Sequence, residues 1–257
     1  MNKRVLSVLF IICIGLVLLK KVCAEEPSSQ PNQGLPLGER LVYQITWLRI
    51  PVAVGELWVK EKTKLAGREV YHVVGIIETN KVLSKIFPMH DEAHSWIDAE
   101  TLESVQFEKK VNELFIKAHE RMTFDAAKKK GYFESFKTGK KAEFEITAPV
   151  HDVISAIFWA RRQALEPGKS VHTTLMVDQK KWALEVKVLR KEIVKFHGHK
   201  IETFRLQPNT RVNGTEIRGK AYFNLTTDAS RIPIRGTYKA PFGRVTGTLQ
   251  ETESSAG

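Results

Sequence analysis

The chain has 257 residues, of which 42% are hydrophobic and 27% charged, and its formal net charge at pH 7 is +11. This length suffices to bury one large core. Both cysteines, Cys13 and Cys23, fall within the first 24 residues. The remainder of the chain therefore has no disulfide, no thiol nucleophile and no cysteine metal site, and its stability has to come from ordinary packing.

The first 24 residues are typical of a secretory signal. A short basic start precedes fifteen mainly apolar residues, Val5–Leu19, and small residues lead to a predicted cut after Ala24. The apolar stretch is shorter than the roughly 20 residues that a membrane span needs. Lys20 and Lys21 lie between it and the cut, an unusual place for charges. We therefore expect a periplasmic protein, with an uncleaved inner-membrane anchor as the alternative.

Residues 25–37 contain three prolines and mostly polar side chains, a composition that predicts a flexible tether. A single β-rich domain is expected over 38–250, followed by a disordered tail over 251–257. The stretch Ser104–Val111 shows the clearest strand pattern, because Val105 and Phe107 alternate with Gln106 and Glu108. About a dozen such runs, separated by turn residues, predict a curved antiparallel sheet or open half-barrel.

One segment is typical of a helix. Asp152 is a suitable N-cap, Pro167 and Gly168 end the pattern, and the residues between are apolar on nearly every side. We predict a helix over 152–165, packed centrally against the concave face of the sheet. In the opening hairpin, Gly38–Val59, apolar residues occupy both faces of each strand. Either this helix or a bound ligand is expected to cover the second face.

Three stretches together resemble an exported bacterial family known as domain of unknown function 3108. They are "GERLVYQITWLRIPVAVGELWV", "DVISAIFWARRQALEPGKSV" and "SRIPIRGTYKAPFGRVTGTL". The resemblance extends over nearly the whole chain after the signal, but it contains no catalytic fingerprint. The family's strand-rich plan is similar to the half-barrels that carry lipoproteins or lipid across the periplasm, and a fold analogy does not transfer a ligand.

Two polar groupings contain the residue types of a metal site or a catalytic site. His90 and His94 are four residues apart, but on a strand that spacing is about 13 Å, too long for one ion without further ligands. His151, Asp152 and Ser155 have the residue types of a hydrolase triad, but no glycine-flanked nucleophile accompanies them. We therefore expect no catalytic residues, no metal site, no cofactor and no enzymatic activity, with a metal-dependent or serine hydrolase as the least favoured alternative.

The remaining candidates are aromatic. Such side chains form cores, or they line a cleft that admits an acyl chain or another apolar ligand. The predicted ligand-binding residues are Tyr43, Trp47, Trp58, Trp96, Phe158 and Trp159.

The function expected from these residues is that of an exported binding or carrier protein for a lipid-like ligand. The alternative is an envelope adaptor that docks a protein partner. Lysines clustered at turns are typical of solubilising tips and also suit an anionic envelope surface. No nucleic-acid motif is present, and we expect no nucleic-acid partner. The oligomeric state stays open.

Overall fold

In the computed structural model, the described residues are 34–147, 149–212, 215–216, 220–240 and 243–253. They form one large antiparallel sheet that is not closed. Its strands are β1 (Arg40–Trp47), β2 (Ile50–Leu65), β3 (Arg68–Thr79), β4 (His90–Asp98), β5 (Ser104–Asn112), β6 (Lys117–Asp125), β7 (Lys130–Ser135), β8 (Lys141–Glu145), β9 (Ser170–Val177), β10 (Lys180–Phe196), β11 (His199–Val212), β12 (Thr215–Glu216), β13 (Lys220–Thr226), β14 (Pro233–Ala240) and β15 (Gly243–Glu253). Helical structure in this part of the chain comprises α1 (Ser155–Arg161) and a short 3-10 turn, Leu83–Lys85.

The sheet consists of two meanders that meet in its middle. Fourteen strands form the row β8-β7-β6-β5-β4-β3-β2-β1-β15-β14-β13-β11-β10-β9, and β12 pairs with β11 beside it. The first and last strands are central neighbours, whereas the edge strands β8 and β9 flank the helical segment in sequence. Register shifts in several strands, such as Val59/Glu61 in β2 and Trp96/Ile97 in β4, mark bulges that strengthen twist and curvature.

Alternating strand directions give the sheet two ends. The apolar end carries the β1–β2 turn, the β3–β4 loop over 80–88, and the β5–β6, β7–β8 and β9–β10 turns. The helix end carries the β2–β3, β4–β5, β6–β7, β10–β11 and β13–β14 turns, and the segment from β8 through α1 to β9 starts and finishes there. We use these two names below.

The helix α1 joins the cores of the two meanders. Ile154 and Phe158 belong to a cluster dominated by the first meander, while Ala156 and Leu165 belong to a cluster of the second. Burying Phe158, which is only 1% exposed, contributes about 2–3 kcal/mol relative to leaving its side chain in water.

Asp152 anchors the start of the helical segment. Its Oδ1 accepts hydrogen bonds from the backbone N–H groups of Ile154 (2.7 Å) and Ser155 (2.9 Å), and its Oδ2 accepts from the Ser95 and Ser104 hydroxyls, both at 2.6 Å. Burial raises the pKa of Asp152, although the two serine hydrogen bonds oppose that shift. The regular helix is shorter than the predicted 152–165, because residues 153–154 form a turn and Arg162 ends it.

Two predicted boundaries differ from the structure. The disordered tail was expected from residue 251, but β15 continues to Glu253 because residues 251–253 pair with Arg40, Leu41 and Val42. The tether was expected to reach residue 37, but Leu35 is buried in the core. The sheet also has more strands than the dozen predicted.

The predicted signal segment, residues 1–24, and the tether up to residue 33 lie outside the described residues. Within the described ranges, we find no helix with the length and apolar character that a membrane crossing requires.

Candidate ligand cavity

A cavity of about 300 Å³ lies between the inner face of the sheet and α1. Strands of both meanders line it, which requires the sheet to curve around it. Most of its wall is aliphatic or aromatic, and representative lining residues are Ile45, Leu57, Ile77, Val186, Leu206 and Phe223. A mainly apolar cavity of this size, at the lower limit of the roughly 300–1,000 Å³ of ligand pockets, suits a small or slender apolar molecule.

Glycines within strands create part of this space. In the register, Ile45 of β1 pairs with Gly247 of β15, which pairs with Gly236 of β14, so all three positions share the inner face. A Cβ added at Gly247 would meet no atom within 4 Å. Gly55 and Gly75 also line the cavity. Gly75 additionally lets the helical segment approach, because a Cβ added at this position would lie only 3.4 Å from Ile154 Cδ1.

The cavity extends towards the apolar end. Its walls include Ile77 near the end of β3, Asp91 near the start of β4 and Val111 near the end of β5, all in the strand halves nearest that end. Ile154 and Ile157 of the helical segment line its other side. The lining also includes Leu225 and Pro233, which lie towards the helix end.

Two polar side chains of the wall are already bonded within the protein. The Tyr43 hydroxyl donates a 2.7 Å hydrogen bond to the Pro233 carbonyl oxygen, and burial raises the pKa of Tyr43. Lys109 Nζ lies 2.7 Å from Asp178 Oδ1 and 3.2 Å from a Glu120 carboxylate oxygen. Burial alone would lower the pKa of Lys109, but the two carboxylates outweigh it and raise the pKa. Since Asp178 lies in the β9–β10 turn, this pair connects the two meanders beside the cavity.

An acidic pair lies at the same end of the cavity. The Asn112 N–H donates to Asp91 Oδ1 at 2.9 Å, and Glu113 is only 4% exposed. Burial raises the pKa of Glu113 to about 7, and the neighbouring Asp91 contributes to the rise. Burial also raises the pKa of Asp91. Near neutral pH, therefore, the protonated and ionised forms of the Glu113 carboxyl coexist.

The structure does not bring the six predicted aromatic residues together. Only Tyr43 lines the cavity. Phe158 is packed in the core, and Trp159 lies half-buried near the His151 ring at 5.7 Å. Trp47 is 43% exposed at the last position of β1, at the apolar end.

Trp58 and Trp96 lie on the outer face of the sheet. Trp58 alternates with the buried Leu57 and Val59, and Trp96 stacks on the His72 ring at 4.7 Å. The prediction that both face inward is therefore wrong, because neighbouring positions of a strand point to opposite faces. The helix packs on the inner face, so it does not cover the outer face of the opening hairpin, where Trp58 is 37% exposed.

The candidate metal-binding histidines share the outer face with Trp96. His94 Nδ1 lies 3.0 Å from His72 Nε2, and His90 lies near Glu78 and Glu92 instead. Among the described residues, no group of three or more His, Cys, Asp or Glu side chains is arranged to hold a metal ion.

The residues of the candidate triad have local contacts. The Asp152 N–H donates to Ser155 Oγ at 2.9 Å, so both side chains serve the start of α1. His151 is 1% exposed, and burial lowers its pKa to about 4.

The glycines that open the cavity were not predicted as site residues from the sequence, although a glycine inside a strand is a known sign of close approach.

The architecture is that of a β-barrel-like protein, and comparisons with known proteins agree. A solved structure from Brucella abortus, described as a beta-barrel-like protein of domain of unknown function DUF1849, matches with a TM-score of 0.57 and 14% identity. The match covers 86% of this chain and 99% of that one. At this identity the likeness shows the fold alone.

The chain belongs to the family described as Protein of unknown function (DUF3108), whose model matches residues 42–250. The resemblance found in the sequence is thereby confirmed. No curated protein matches the chain.

Two further solved structures are similar at TM-scores below 0.5. One is a candidate exported protein with a YmcC-like fold from Bacteroides fragilis, with a TM-score of 0.34, 9% identity and coverage of 89% of this chain and 100% of that one. The other is a candidate lipoprotein from Parabacteroides distasonis, with a TM-score of 0.39, 8% identity and coverage of 87% and 100%.

Proposed function

We propose that this protein is an exported, periplasmic binding or carrier protein for an apolar, lipid-like ligand, and that it performs no covalent chemistry. The observation that carries the proposal is the cavity of about 300 Å³ with its largely apolar wall. Removing apolar ligand surface from water at about 25 cal/mol per Å² supplies the driving force. The basic N-terminal start and apolar stretch, Val5–Leu19, support the location.

The walls favour a carrier over an enzyme. Tyr43 and Lys109 are held by partners within the protein, and the side chains of Asp152 and Ser155 serve the start of the helix. A binding site of this kind selects its ligand by shape and apolar area, with a few polar groups that fix orientation. The acyl part of such a ligand would lie against the aliphatic wall.

Native mass spectrometry of the gently purified protein tests the proposal. We expect a species heavier than the chain by the mass of a lipid, and saturable binding of a fluorescent fatty acid to delipidated protein. Repeated spectra of the chain alone, together with no fatty-acid binding, would refute the carrier function. In that case, cross-linking in cells to one protein partner would establish the adaptor function instead.

A further inference from the structure

Large apolar side chains are exposed at the apolar end on three neighbouring connections. In the β1–β2 turn, Leu48 is 54% exposed; in the β3–β4 loop, Val82 is 79% and Ile86 76% exposed; and in the β5–β6 turn, Phe115 is 78% exposed. Isolated exposed apolar residues are common on proteins, but several together on adjoining turns mark a contact surface. Because β1 to β6 are consecutive in the sheet, these turns form one row along its rim.

Lysines accompany the apolar residues. Residues 80–88 and 136–141, both at this end, together contain five lysines and no acidic residue. Lys180 and Lys181 begin β10 at this end, after a β9–β10 turn that contains Asp178. At the helix end the charge is mixed, because residues 98–103 contain three acidic residues and no basic one, whereas residues 126–130 contain three lysines. The apolar end is thus set apart by its lysine-rich loops and by the exposed side chains of Leu48, Val82, Ile86 and Phe115, which we call the apolar tips.

We infer that the apolar end docks on the surface of an anionic lipid bilayer. Side chains such as Ile86 and Phe115 would enter the boundary between head groups and acyl chains, while the flanking lysines would meet the anionic head groups. Lysines near an anionic leaflet contribute about 1 kcal/mol each, and apolar insertion adds to that attraction. A protein interface of ordinary composition would be depleted in lysine, which favours the bilayer as the partner.

The cavity adds a further argument. Part of its wall approaches this same end, so a lipid that enters from this side would pass from the docked bilayer to the cavity without crossing water. Docking itself does not depend on the proposed carrier function, because the tips and lysines lie outside the cavity. The two proposals can therefore fail separately.

Vesicle flotation tests the inference, using the full chain produced with its own N-terminal segment and purified in the form that the cell yields. The probes are vesicles of phosphatidylglycerol with phosphatidylethanolamine, and vesicles of phosphatidylcholine alone. The variant is Ile86→Asp/Phe115→Asp. The control is Ile193→Asp, because Ile193 is 59% exposed on β10 near the helix end. Since the N-terminal segment is the same throughout, differences between variants report on the tips.

We expect the wild type and Ile193→Asp to float with anionic vesicles, and the double variant to lose at least tenfold in partition coefficient. Binding should weaken in 0.5 M salt, because exposed charges are screened over roughly 5 Å there. Equal flotation of the double variant and the control would overturn the inference. A second outcome would also overturn the inference. In that outcome the wild type does not float, and the double substitution abolishes self-association or the capture of a protein partner, so the tips bind protein and not lipid. Native mass spectrometry of the double variant should still show a bound lipid, which separates a failure of docking from a failure of the cavity.

Discussion

The two ends of this sheet differ in how they use polar groups. At the helix end, Arg161 donates hydrogen bonds to both carboxylate oxygens of Glu39 (2.6 and 2.7 Å) and to the Ser230 carbonyl oxygen, and both charged residues are buried. Asp152 is bonded nearby to both strands and helix. At the apolar end, large apolar side chains and lysines are exposed instead. The helix end is thus held by buried charged and hydrogen-bonded groups, whereas the apolar end, although Glu113 is buried there, exposes the side chains that we infer to be available for contact.

This division follows from the topology. The segment from β8 to β9 crosses at the helix end, where buried charges tie it to residues before β1 and in the β13–β14 turn. The apolar end has only hairpin connections and the 80–88 loop among its described residues, and no such segment covers it. Substitutions at the two ends should therefore have opposite consequences for stability and for binding.

The largest effect is expected from Arg161→Ala. The substitution would leave Glu39 buried without its partner, and removing one member of a buried ion pair costs about 3–5 kcal/mol. Urea unfolding should show this loss. The double variant Glu39→Gln/Arg161→Met should recover part of it, because it leaves no unpaired charge. A loss below about 1 kcal/mol would mean that the helix end is not the stable part of the fold.

Acidification should weaken the helix end through His151. Its folded pKa of about 4 lies below the value near 6.5 expected for the unfolded chain. The unfolded chain therefore binds a proton first, so this stability is present above pH 6.5 and is lost as the pH falls towards 4. Between pH 7 and pH 5 we expect a loss of about 2 kcal/mol relative to His151→Leu. Parallel pH profiles of the two proteins in urea unfolding would contradict the assignment.

Alkalinisation should weaken the apolar end through Glu113. Its folded pKa of about 7 lies above the ordinary value, so the protonated form stabilises the fold at low pH. That stability is lost as the pH rises through about 7. Allowing for solvent screening, Glu113→Gln should be about 1–2 kcal/mol more stable than wild type at pH 8, and the gain should vanish near pH 5. A gain that does not depend on pH would show that the carboxyl is not responsible.

The smallest effect on stability is expected from Ile86→Asp/Phe115→Asp. Both side chains are exposed, and exposed substitutions usually change the free energy of unfolding by less than about 0.5 kcal/mol. Thermal unfolding of the variant and of wild type should therefore coincide within a few degrees. A large drop would show that these tips support the fold rather than a contact.

The sequence predicted local features better than the site. Alternation in β5 was confirmed, because Phe107 and Val111 are buried. Which set of alternating residues faces inward was not predictable in β2 and β4. The opening strands are apolar on both faces, and a bulge at Trp96/Ile97 shifts the register of β4. Trp58 and Trp96 were therefore predicted to line a cleft, whereas they face outward.

The cavity depends on long-range register. Ile45, Gly247 and Gly236 become neighbours only when the first and last strands pair, about 200 residues apart in the chain. Nothing local to Gly247 indicates which face it occupies. The sequence also contains the apolar residues of the tips, at Phe115 and in 80–88. Only the alternating strand directions of the fold show that these residues share one end of the sheet.

The most direct test of the account is a titration of delipidated protein with a fluorescent fatty acid, comparing Gly247→Leu with Thr248→Leu. The leucine at 247 would enter open space on the cavity side, while the one at 248, the next residue of β15, would point to the opposite face. If the ligand binds in this cavity, we expect Gly247→Leu to fold but to bind the fatty acid at least tenfold more weakly than wild type. We expect Thr248→Leu to bind it like wild type. Wild-type affinity in a folded Gly247→Leu would contradict ligand binding in this cavity.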